Sequence, residues 1–243
     1  MSLGLGIAST FPFEGVSTDL QQATSGTATG LRLWLKNNTG VTAAKWSDSS
    51  GFDNHATQAT EANQAAVSGG GLDFEAGESD HYDLASTITI GANGGFCLAL
   101  VVELENLSGV VLSKDANDQF RFVNATTFRF KSDTTDTTTS FVFESGTFAT
   151  GTKTLVLLNR SAGSSNKFTF MKNGSTLTPD VDTSTNEAAG ENPHGFDLNV
   201  LGANAGTSQF FDGKILELAF WNRSLTTQEI TDVNSYLQQI HGI

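Results

Sequence analysis

Cysteine is almost absent from this chain of 243 residues: Cys97 is its single thiol and cannot form an internal disulfide. Cys97 lies within the apolar run 96–102, which predicts a buried and unreactive strand residue. No run approaches the ~18 apolar residues of a membrane-spanning segment. The first residues also lack the basic and apolar regions of a signal peptide. These absences favour a protein that is made and folded in a cytoplasm without disulfides.

Basic residues are also few, since 13 Lys and Arg stand against 26 Asp and Glu and give a formal net charge of −13. Binding to nucleic acid or to an anionic membrane depends largely on Lys and Arg, so we expect neither as a partner. The histidines, at positions 55, 81, 194 and 241, have no metal-ligand spacing. Phosphate-binding loops and serine nucleophile motifs are absent from the sequence.

Glycine and phenylalanine are abundant, with 25 and 18 residues, whereas proline occurs only 3 times. Together with many Ser, Thr and Asn residues, this composition favours short strands joined by polar turns. Strand patterns recur about every ten residues from Leu31 onward, without a repeat or a linker, and predict one domain over residues 31–243. The pair Asn173-Gly174 predicts a type I′ hairpin turn.

Alternation along the strands predicts which side chains share a face. The first predicted strand, Leu31–Leu35, places its three leucines on one face. Residues 211–221 carry apolar side chains on both faces, which predicts a central strand buried on two sides, with Ile215 grouped with Glu217. A capping box from Thr226 to Glu229 then predicts a closing helix. The apolar stripe of that helix consists of Ile230, Val233, Tyr236, Leu237 and Ile240.

Several motifs occur in a fixed order: Leu-Trp-Leu at 33–35, Trp-Ser-Asp-Ser-Ser-Gly at 46–51, Asn-His-Ala at 54–56, Leu-Asp-Phe at 72–74 and Asn-Arg at 222–223. Their order and spacing resemble those of laminin-G-like, concanavalin A-like jelly-roll domains of bacteria and their phages, over residues 31–243. Residues 74–77 depart from the family's Phe-Asp-Gly turn, which is lengthened here. The resemblance implies an all-β fold, a two-sheet antiparallel jelly-roll sandwich with a short C-terminal helix.

Residues 1–30 show no periodicity and are interpreted as an extended N-terminal arm outside the main core. A flexible leader is one interpretation. The other is an anchoring arm whose apolar residues dock onto another subunit, namely Leu3, Leu5, Ile7, Phe11 and Phe13. Such an arm before a jelly roll resembles structural proteins of tailed phages that infect marine cyanobacteria.

The loop that follows Trp46 contains the first candidate site. Asp48, Asp53 and Asn54 could together offer oxygen ligands to calcium, which many jelly rolls of this superfamily hold. Alternatively, these three side chains hold their own loop together by hydrogen bonds.

Aromatic residues supply the second candidate site. Phe52 and Tyr82, with His194, are the candidate glycan-binding groups at the rim of the fold. The tryptophans have apolar neighbours in strand patterns and are predicted to pack in the core; they are Trp34, Trp46 and Trp221.

Three functions are consistent with these features. The first is a non-enzymatic virion structural protein of a tailed phage, a capsid decoration or tail-appendage subunit assembled in the host cytoplasm. It would form homo-oligomers, contact other virion proteins through residues 1–30 and turn its jelly roll towards host surface glycans. The second is a free carbohydrate-binding module, with calcium as the one cofactor considered. The third is a glycan hydrolase that uses Glu103 and Glu105 on one strand face, although the family's Glu-x-Asp-x-x-Glu catalytic pattern is absent.

Overall fold

The structure, a computed structural model, describes residues 19–20, 30–132, 138–163, 168–182 and 194–243. Within these ranges the chain forms strands β1 to β18, a 3-10 turn at Glu61–Asn63 and the helix α1 at Thr227–His241. The strands are β1 (Leu31–Leu35), β2 (Val41–Thr42), β3 (Lys45–Trp46), β4 (Ala56–Thr57), β5 (Ala66–Ser68), β6 (Gly71–Phe74), β7 (Tyr82–Ile90), β8 (Phe96–Leu104), β9 (Gly109–Ser113), β10 (Gln119–Asn124), β11 (Thr127–Lys131), β12 (Thr138–Val142), β13 (Lys153–Arg160), β14 (Phe168–Lys172), β15 (Ser175–Thr176), β16 (Val181–Asp182), β17 (Phe196–Leu201) and β18 (Gly213–Trp221).

These strands build two antiparallel sheets. The first sheet has the order β15-β14-β13-β8-β18-β6-β5, with β1 paired to β18, and the second has the order β16-β12-β11-β10-β9-β17-β7-β4-β3-β2. Strands distant in sequence are neighbours, as β8 and β18 are in the first sheet and β7 and β17 in the second. This architecture confirms the predicted all-β, two-sheet jelly-roll sandwich with a C-terminal helix.

Phenylalanine fills the space between the two sheets. Phe96 of the first sheet contacts Phe120, Phe130 and Phe196 of the second, with ring centroids 5.4, 5.0 and 5.2 Å apart. All four rings are buried. Because a well-placed ring pair contributes about 0.5–1.5 kcal/mol beyond its apolar burial, this cluster is a main contribution to holding the sheets together.

Helix α1 covers the outer face of the first sheet and creates a second apolar layer, the helix-side layer. Cys97, Ala99 and Val101 of β8 lie in this layer, whereas the alternate residues of β8 face the inter-sheet core. Burial raises the pKa of Cys97, in agreement with an unreactive thiol. The tryptophans predicted to be in the core are buried: Trp34, Trp46 and Trp221.

The helix begins at the predicted capping box. The Thr226 hydroxyl accepts a hydrogen bond from the Glu229 N–H, and the Glu229 carboxylate accepts one from the Thr226 N–H. Gly242 ends the helix in the left-handed region, with a φ of 66°. Most of the predicted apolar stripe is buried, but Ile240 is 51% exposed and His241 is buried instead.

A β-bulge in β1 changes the faces that strict alternation predicts. Leu31 pairs with Trp221 and Leu33 pairs with the adjacent Phe220, so Arg32 is an extra residue on β1. Leu31 consequently lies in the helix-side layer and Leu33 in the inter-sheet core. The prediction that the leucines of β1 share one face is therefore wrong for Leu31.

A second bulge lies in β18. Ile215 pairs with Val102 and Glu217 pairs with Val101, which leaves Leu216 as the extra residue. Ile215 faces the inter-sheet core, and Glu217 faces α1. The predicted grouping of Ile215 with Glu217 is therefore wrong.

The hairpin predicted at Asn173-Gly174 connects β14 to β15 and is confirmed. Both turn residues have positive φ, 49° and 77°, as a type I′ turn requires.

Before Gly30 the structure describes Asp19 and Leu20. Leu20 is fully buried in the helix-side layer, so at this residue the chain before β1 docks onto its own domain. The predicted anchoring residues Leu3, Leu5, Ile7, Phe11 and Phe13 lie outside the described residues. Within the described ranges, no helix has both the length and the apolar character needed to cross a membrane.

Candidate functional site

The loop between β3 and β4 is organised around one carboxylate, that of Asp48. Its Oδ1 accepts hydrogen bonds from the backbone N–H groups of Trp34 at 2.8 Å and Ser50 at 2.9 Å. Its Oδ2 accepts hydrogen bonds from the Ser50 hydroxyl at 2.7 Å and the Asn54 N–H at 2.9 Å. Four donors on one carboxylate fix the loop and tie it to β1.

Asn54 makes a second connection between this loop and β1. Its Nδ2 donates a hydrogen bond to the carbonyl of Arg32 at 3.0 Å, next to the bulge. Asn54 is only 6% exposed, and its Oδ1 is buried without a hydrogen-bond partner among the described residues. Asn54 therefore positions the backbone of Arg32 relative to the loop.

The loop presents Phe52 beside Arg32. Phe52 is one of the few large apolar side chains on the described surface, with 48% of it exposed. The guanidinium carbon of Arg32 lies 4.3 Å from the centroid of the Phe52 ring, within the range of a cation–π contact. As the extra residue of the bulge, Arg32 lies outside the regular ladder of β1, so its side chain can point to this loop.

A third bulge, in β7, lies on the other side of the same cleft. Asp83 pairs with Val200 and Ile88 pairs with Leu198, so the residues 84–87 face the single residue Asn199. This bulge leaves Ser86 and Thr87 exposed side by side. Their hydroxyl groups can both donate and accept hydrogen bonds.

Together these elements enclose a cleft of about 300 Å³, at the lower end of the range for small-molecule sites. Arg32, Phe52 and Asn54 line one side, residues 86–89 of β7 line the other, and Asn222 lies at the end of β18. Ile88 is buried and supplies an apolar surface. The cleft thus offers an aromatic ring, a cation and a row of hydroxyl groups.

A shallower groove of about 250 Å³ adjoins the cleft at Thr89, which lines both. Asp118 and Asp197 lie in this groove. The Thr89 hydroxyl donates to Asp197 at 2.6 Å and Lys114 pairs with the same carboxylate at 3.1 Å. The Thr89 hydrogen bond, supported by Lys114, lowers the pKa of Asp197, so this group is ionised at neutral pH.

Of the predicted glycan-binding residues, the structure places Phe52 in the cleft. Tyr82 is fully buried, and its hydroxyl donates to the carbonyl of Ala43, so its prediction as a rim group is wrong. The reason is that Tyr82 occupies an inward position of β7. His194 is half-buried just before β17 and does not line the cleft.

The predicted calcium ligands do not converge on one position. The Asp48 carboxylate is occupied by four donors, and the Asp53 side chain is 89% exposed with its Oδ1 3.8 Å from Nε2 of His55. The Asn54 side-chain amide donates its hydrogen bond to the carbonyl of Arg32. The residues do not fit a calcium ion, and the alternative interpretation, a loop held by its own hydrogen bonds, is confirmed for Asp48, whose carboxylate accepts from Ser50 and Asn54. The Asn54 side chain bonds β1 instead.

A different acidic group lies near the start of β18. The carboxylates of Asp73, Glu75 and Glu105 have oxygens within 4.8 Å of one another. Lys214 already supplies a positive charge there, with its Nζ 3.2 Å from Glu103, 3.5 Å from Glu105 and 3.9 Å from Asp73. Burial raises the pKa of Asp73 although Lys214 acts in the opposite direction. Glu103 and Glu105, the candidate hydrolase pair, are therefore both engaged with one lysine.

The sequence interpretation missed most of the cleft, namely Arg32, Ser86, Thr87, Thr89 and Asn222. Two signals were present in the sequence. Arg32 is a lone charge within Leu-Arg-Leu-Trp-Leu, and Ser86 falls on an inward position if β7 alternates strictly from Tyr82 to Ile90. A polar residue at an inward position is a sign of a bulge.

Solved structures with this fold come from several kinds of protein. One is domain 4 of the arabinanase AbnA from Geobacillus stearothermophilus, in complex with arabinotriose. It is 18% identical to this chain, with a TM-score of 0.54, and the match covers 85% of this chain and 99% of the arabinanase domain. The binding domain of Paraclostridial Mosquitocidal Protein 1 is 12% identical, with a TM-score of 0.59. The match covers 89% of this chain and 52% of the mosquitocidal protein chain. A mutant of Trypanosoma rangeli sialidase that displays trans-sialidase activity is 16% identical to this chain, with a TM-score of 0.55, and the match covers 93% of this chain.

This chain spans about a third of the length of the sialidases it matches, since 36% of that sialidase chain is covered. At these identities the likeness shows the fold.

No curated protein sequence matches the chain. A family model described as the concanavalin A-like lectin/glucanases superfamily matches residues 76–231, more than half of the chain. Together with the two-sheet jelly roll, this match shows that the chain belongs to the concanavalin A-like lectin/glucanases superfamily.

Proposed function

We propose that the protein binds carbohydrate, without cleaving it, in the cleft between Phe52 and β7. The observation that carries this proposal is the exposed Phe52 ring, which contacts Arg32 and lines the same cleft as Ser86 and Thr87. The C–H face of a sugar ring is apolar and packs on an aromatic ring, while its hydroxyl groups need polar partners at the edge. The cleft supplies both kinds of contact.

The comparisons support this proposal at the level of the fold. The arabinanase domain, which is almost completely covered by this chain, is a structure with arabinotriose, and the mosquitocidal protein domain is a binding domain. Because fold alone does not determine function, the proposal depends on the residues of the cleft rather than on these likenesses.

The absence of cleavage is part of the proposal. Most glycoside hydrolases use two carboxyl groups, one on each side of the glycosidic bond. The described residues that line the cleft include no Asp or Glu, and Glu103 and Glu105 are paired with Lys214.

The test is glycan binding by the intact chain and by Phe52→Ala, on an oligosaccharide array followed by calorimetry. Loss of the ring contact should weaken binding about tenfold, since it removes roughly 1–1.5 kcal/mol. Val67→Ala is the matched control, because Val67 is similarly exposed, at 49%, and does not line the cleft. Equal binding by Phe52→Ala and the intact chain would rule out the cleft as the site.

We also propose that the protein is carried on a phage virion, where it would be a capsid decoration or tail-appendage subunit. The support is the sequence of residues 1–30, with its separated apolar residues before a jelly roll. Mass spectrometry of purified particles should detect the chain. Deletion of residues 1–18 retains Leu20 and its packing. The shortened chain should fail to enter particles and should still bind glycan. Particles that carry the shortened chain would contradict the anchoring role of residues 1–30.

A further inference from the structure

In this strongly acidic protein, Arg32 lies in the cleft without a carboxylate partner among the described residues. Lys114, Lys214 and Arg223 each have a carboxylate within 4.0 Å. The Arg32 side chain contacts Phe52 and has no carboxylate or hydrogen-bond acceptor among the described residues. Its five N–H donors are therefore free for a ligand.

No described side chain in the lining of the cleft offsets the charge of Arg32. The described residues that line the cleft carry no negative charge. The nearest acids of the loop are engaged or turned away: Asp48 accepts four hydrogen bonds, and Asp53 extends into solvent beside His55. A net charge of −13 repels anions from most of the surface, whereas the described lining of this cleft contributes one positive charge and no negative charge.

The adjoining groove has the opposite character. Beyond Thr89, the groove is lined by Asp118 and Asp197. Lys114 compensates the charge of Asp197, and Asp118 accepts a hydrogen bond from the Asp197 N–H at 2.9 Å. A ligand that extends along both sites therefore meets a cation at the Arg32 end and carboxylates at the far end.

We propose, on the basis of the carbohydrate-binding function above, that the ligand is an anionic saccharide whose carboxylate or sulfate group pairs with Arg32. Guanidinium donors match the paired oxygens of these groups in geometry. The sugar that carries the charge packs against Phe52 within hydrogen-bonding reach of the β7 hydroxyl groups. Uncharged sugars of the same chain continue past Thr89 towards Asp197.

The experiment uses pairs of oligosaccharides that differ only in charge. One pair is a neutral oligosaccharide that ends in a single galacturonate and the methyl ester of that oligosaccharide; the other is a galactan oligosaccharide with a single terminal sulfate and its desulfated form. The intact chain should bind the charged member of at least one pair at least tenfold more tightly. That preference should decrease as the sodium chloride concentration is raised, because salt screens the partly exposed ion pair between Arg32 and the ligand.

Variants at position 32 assign the preference to one side chain. Arg32→Gln should remove the preference while weak binding of the uncharged form persists, and Arg32→Lys should retain part of it. Arg129→Gln is the charge-matched control, since Arg129 hydrogen-bonds Ser140 on β12 and does not line the cleft; it should bind as the intact chain does.

The outcomes separate this inference from the function on which it rests. Equal affinity for charged and uncharged members of both pairs, or a preference that survives in Arg32→Gln, overturns the anionic ligand and leaves carbohydrate binding in place. If a wider array also shows no binding to any saccharide, both proposals fail.

Discussion

Two arginines show how differently this protein uses its charges on the helix side and in the cleft. Arg223 makes two hydrogen bonds to the Glu229 carboxylate, at 3.0 and 2.6 Å, at the start of α1. Arg32 contacts an aromatic ring and has no carboxylate partner among the described residues. The first arginine fixes the position of a helix, and the second is available for binding.

The same difference extends to neighbouring residues. On the helix side, the buried Glu217 accepts hydrogen bonds from Trp34 Nε1 at 2.7 Å and from His241 Nε2 at 2.8 Å. In the cleft, Ser86 and Thr87 are exposed on a bulge. With only 16% charged residues in the chain, the ion pairs described here support the fold, whereas Arg32 combines the lack of a described carboxylate partner with a position in the cleft.

The largest effect should come from breaking the helix-side network at Glu217. Glu217→Ala leaves the Trp34 N–H and the His241 ring buried without their acceptor, and we expect a loss of about 3 kcal/mol in the free energy of unfolding. Urea denaturation measures this loss. Glu217→Gln retains an acceptor and should cost less, and both variants should bind glycan like the intact chain in the folded state. A Glu217→Ala variant as stable as the intact chain would contradict the role of this network.

A smaller effect follows from acid. Arg223, with the capping contacts of Thr226, holds the pKa of Glu229 at about 2, below its ordinary value of 4.5. A carboxyl group whose pKa is lowered by folding stabilises the folded state at pH values above its pKa in the unfolded chain. That contribution is lost as the pH falls towards its pKa in the folded protein. Its contribution, roughly 2–3 kcal/mol at neutral pH, should therefore disappear progressively between about pH 5 and pH 2.

Other acids titrate over the same pH range, so the comparison must be made with Glu229→Gln. The difference in unfolding free energy between the intact chain and this variant should be constant above about pH 5.5 and shrink below it. A difference that does not change with pH would show that ionisation of Glu229 does not support the helix.

Asp48 connects the two regions, because it supports the cleft by the kind of pairing seen on the helix side. Asp48→Ala removes the acceptor for Trp34, Ser50 and Asn54, and we expect a loss of about 2 kcal/mol in stability. Glycan affinity should fall as well, since Phe52 loses its support. Asp53→Asn removes the same charge from an exposed side chain and keeps a residue type that tolerates the φ of 56° at this position, so it should change stability by no more than about 0.5 kcal/mol. Equal effects of Asp48→Ala and Asp53→Asn would contradict the role of Asp48.

The smallest effect should come from removing calcium. Because the oxygens of Asp48 are occupied by protein donors, treatment with EDTA should leave both the thermal midpoint and glycan affinity unchanged. Differential scanning fluorimetry with and without added calcium checks this. A midpoint that falls with EDTA and recovers with calcium would restore the metal site considered from the sequence.

The sequence predicted the parts of the fold that depend on local residue chemistry or on regular alternation. The capping box at Thr226, the turn at Asn173-Gly174 and the buried tryptophans depend on local residue chemistry or on simple alternation, and all are confirmed. The jelly roll itself was inferred from the order of its motifs and is confirmed by the sheets.

The candidate site was harder to predict, because it is built where alternation fails. Arg32 and residues 84–87 lie on bulges, and an extra residue reverses the face of everything on one side of it. The alternation of Tyr82 with Leu84 already indicates an inward position, and the rim prediction for Tyr82 overlooked it. Phe52 was identified because its loop is recognisable from Ser, Asp and Gly alone.

The burial of all three tryptophans has a practical consequence for spectroscopy. Trp34, Trp46 and Trp221 are at most 3% exposed, while the aromatic ring at the cleft belongs to Phe52. Intrinsic emission should thus shift strongly when the chain unfolds and scarcely change when a sugar binds. A single fluorometer trace can therefore report on the integrity of each variant independently of its affinity.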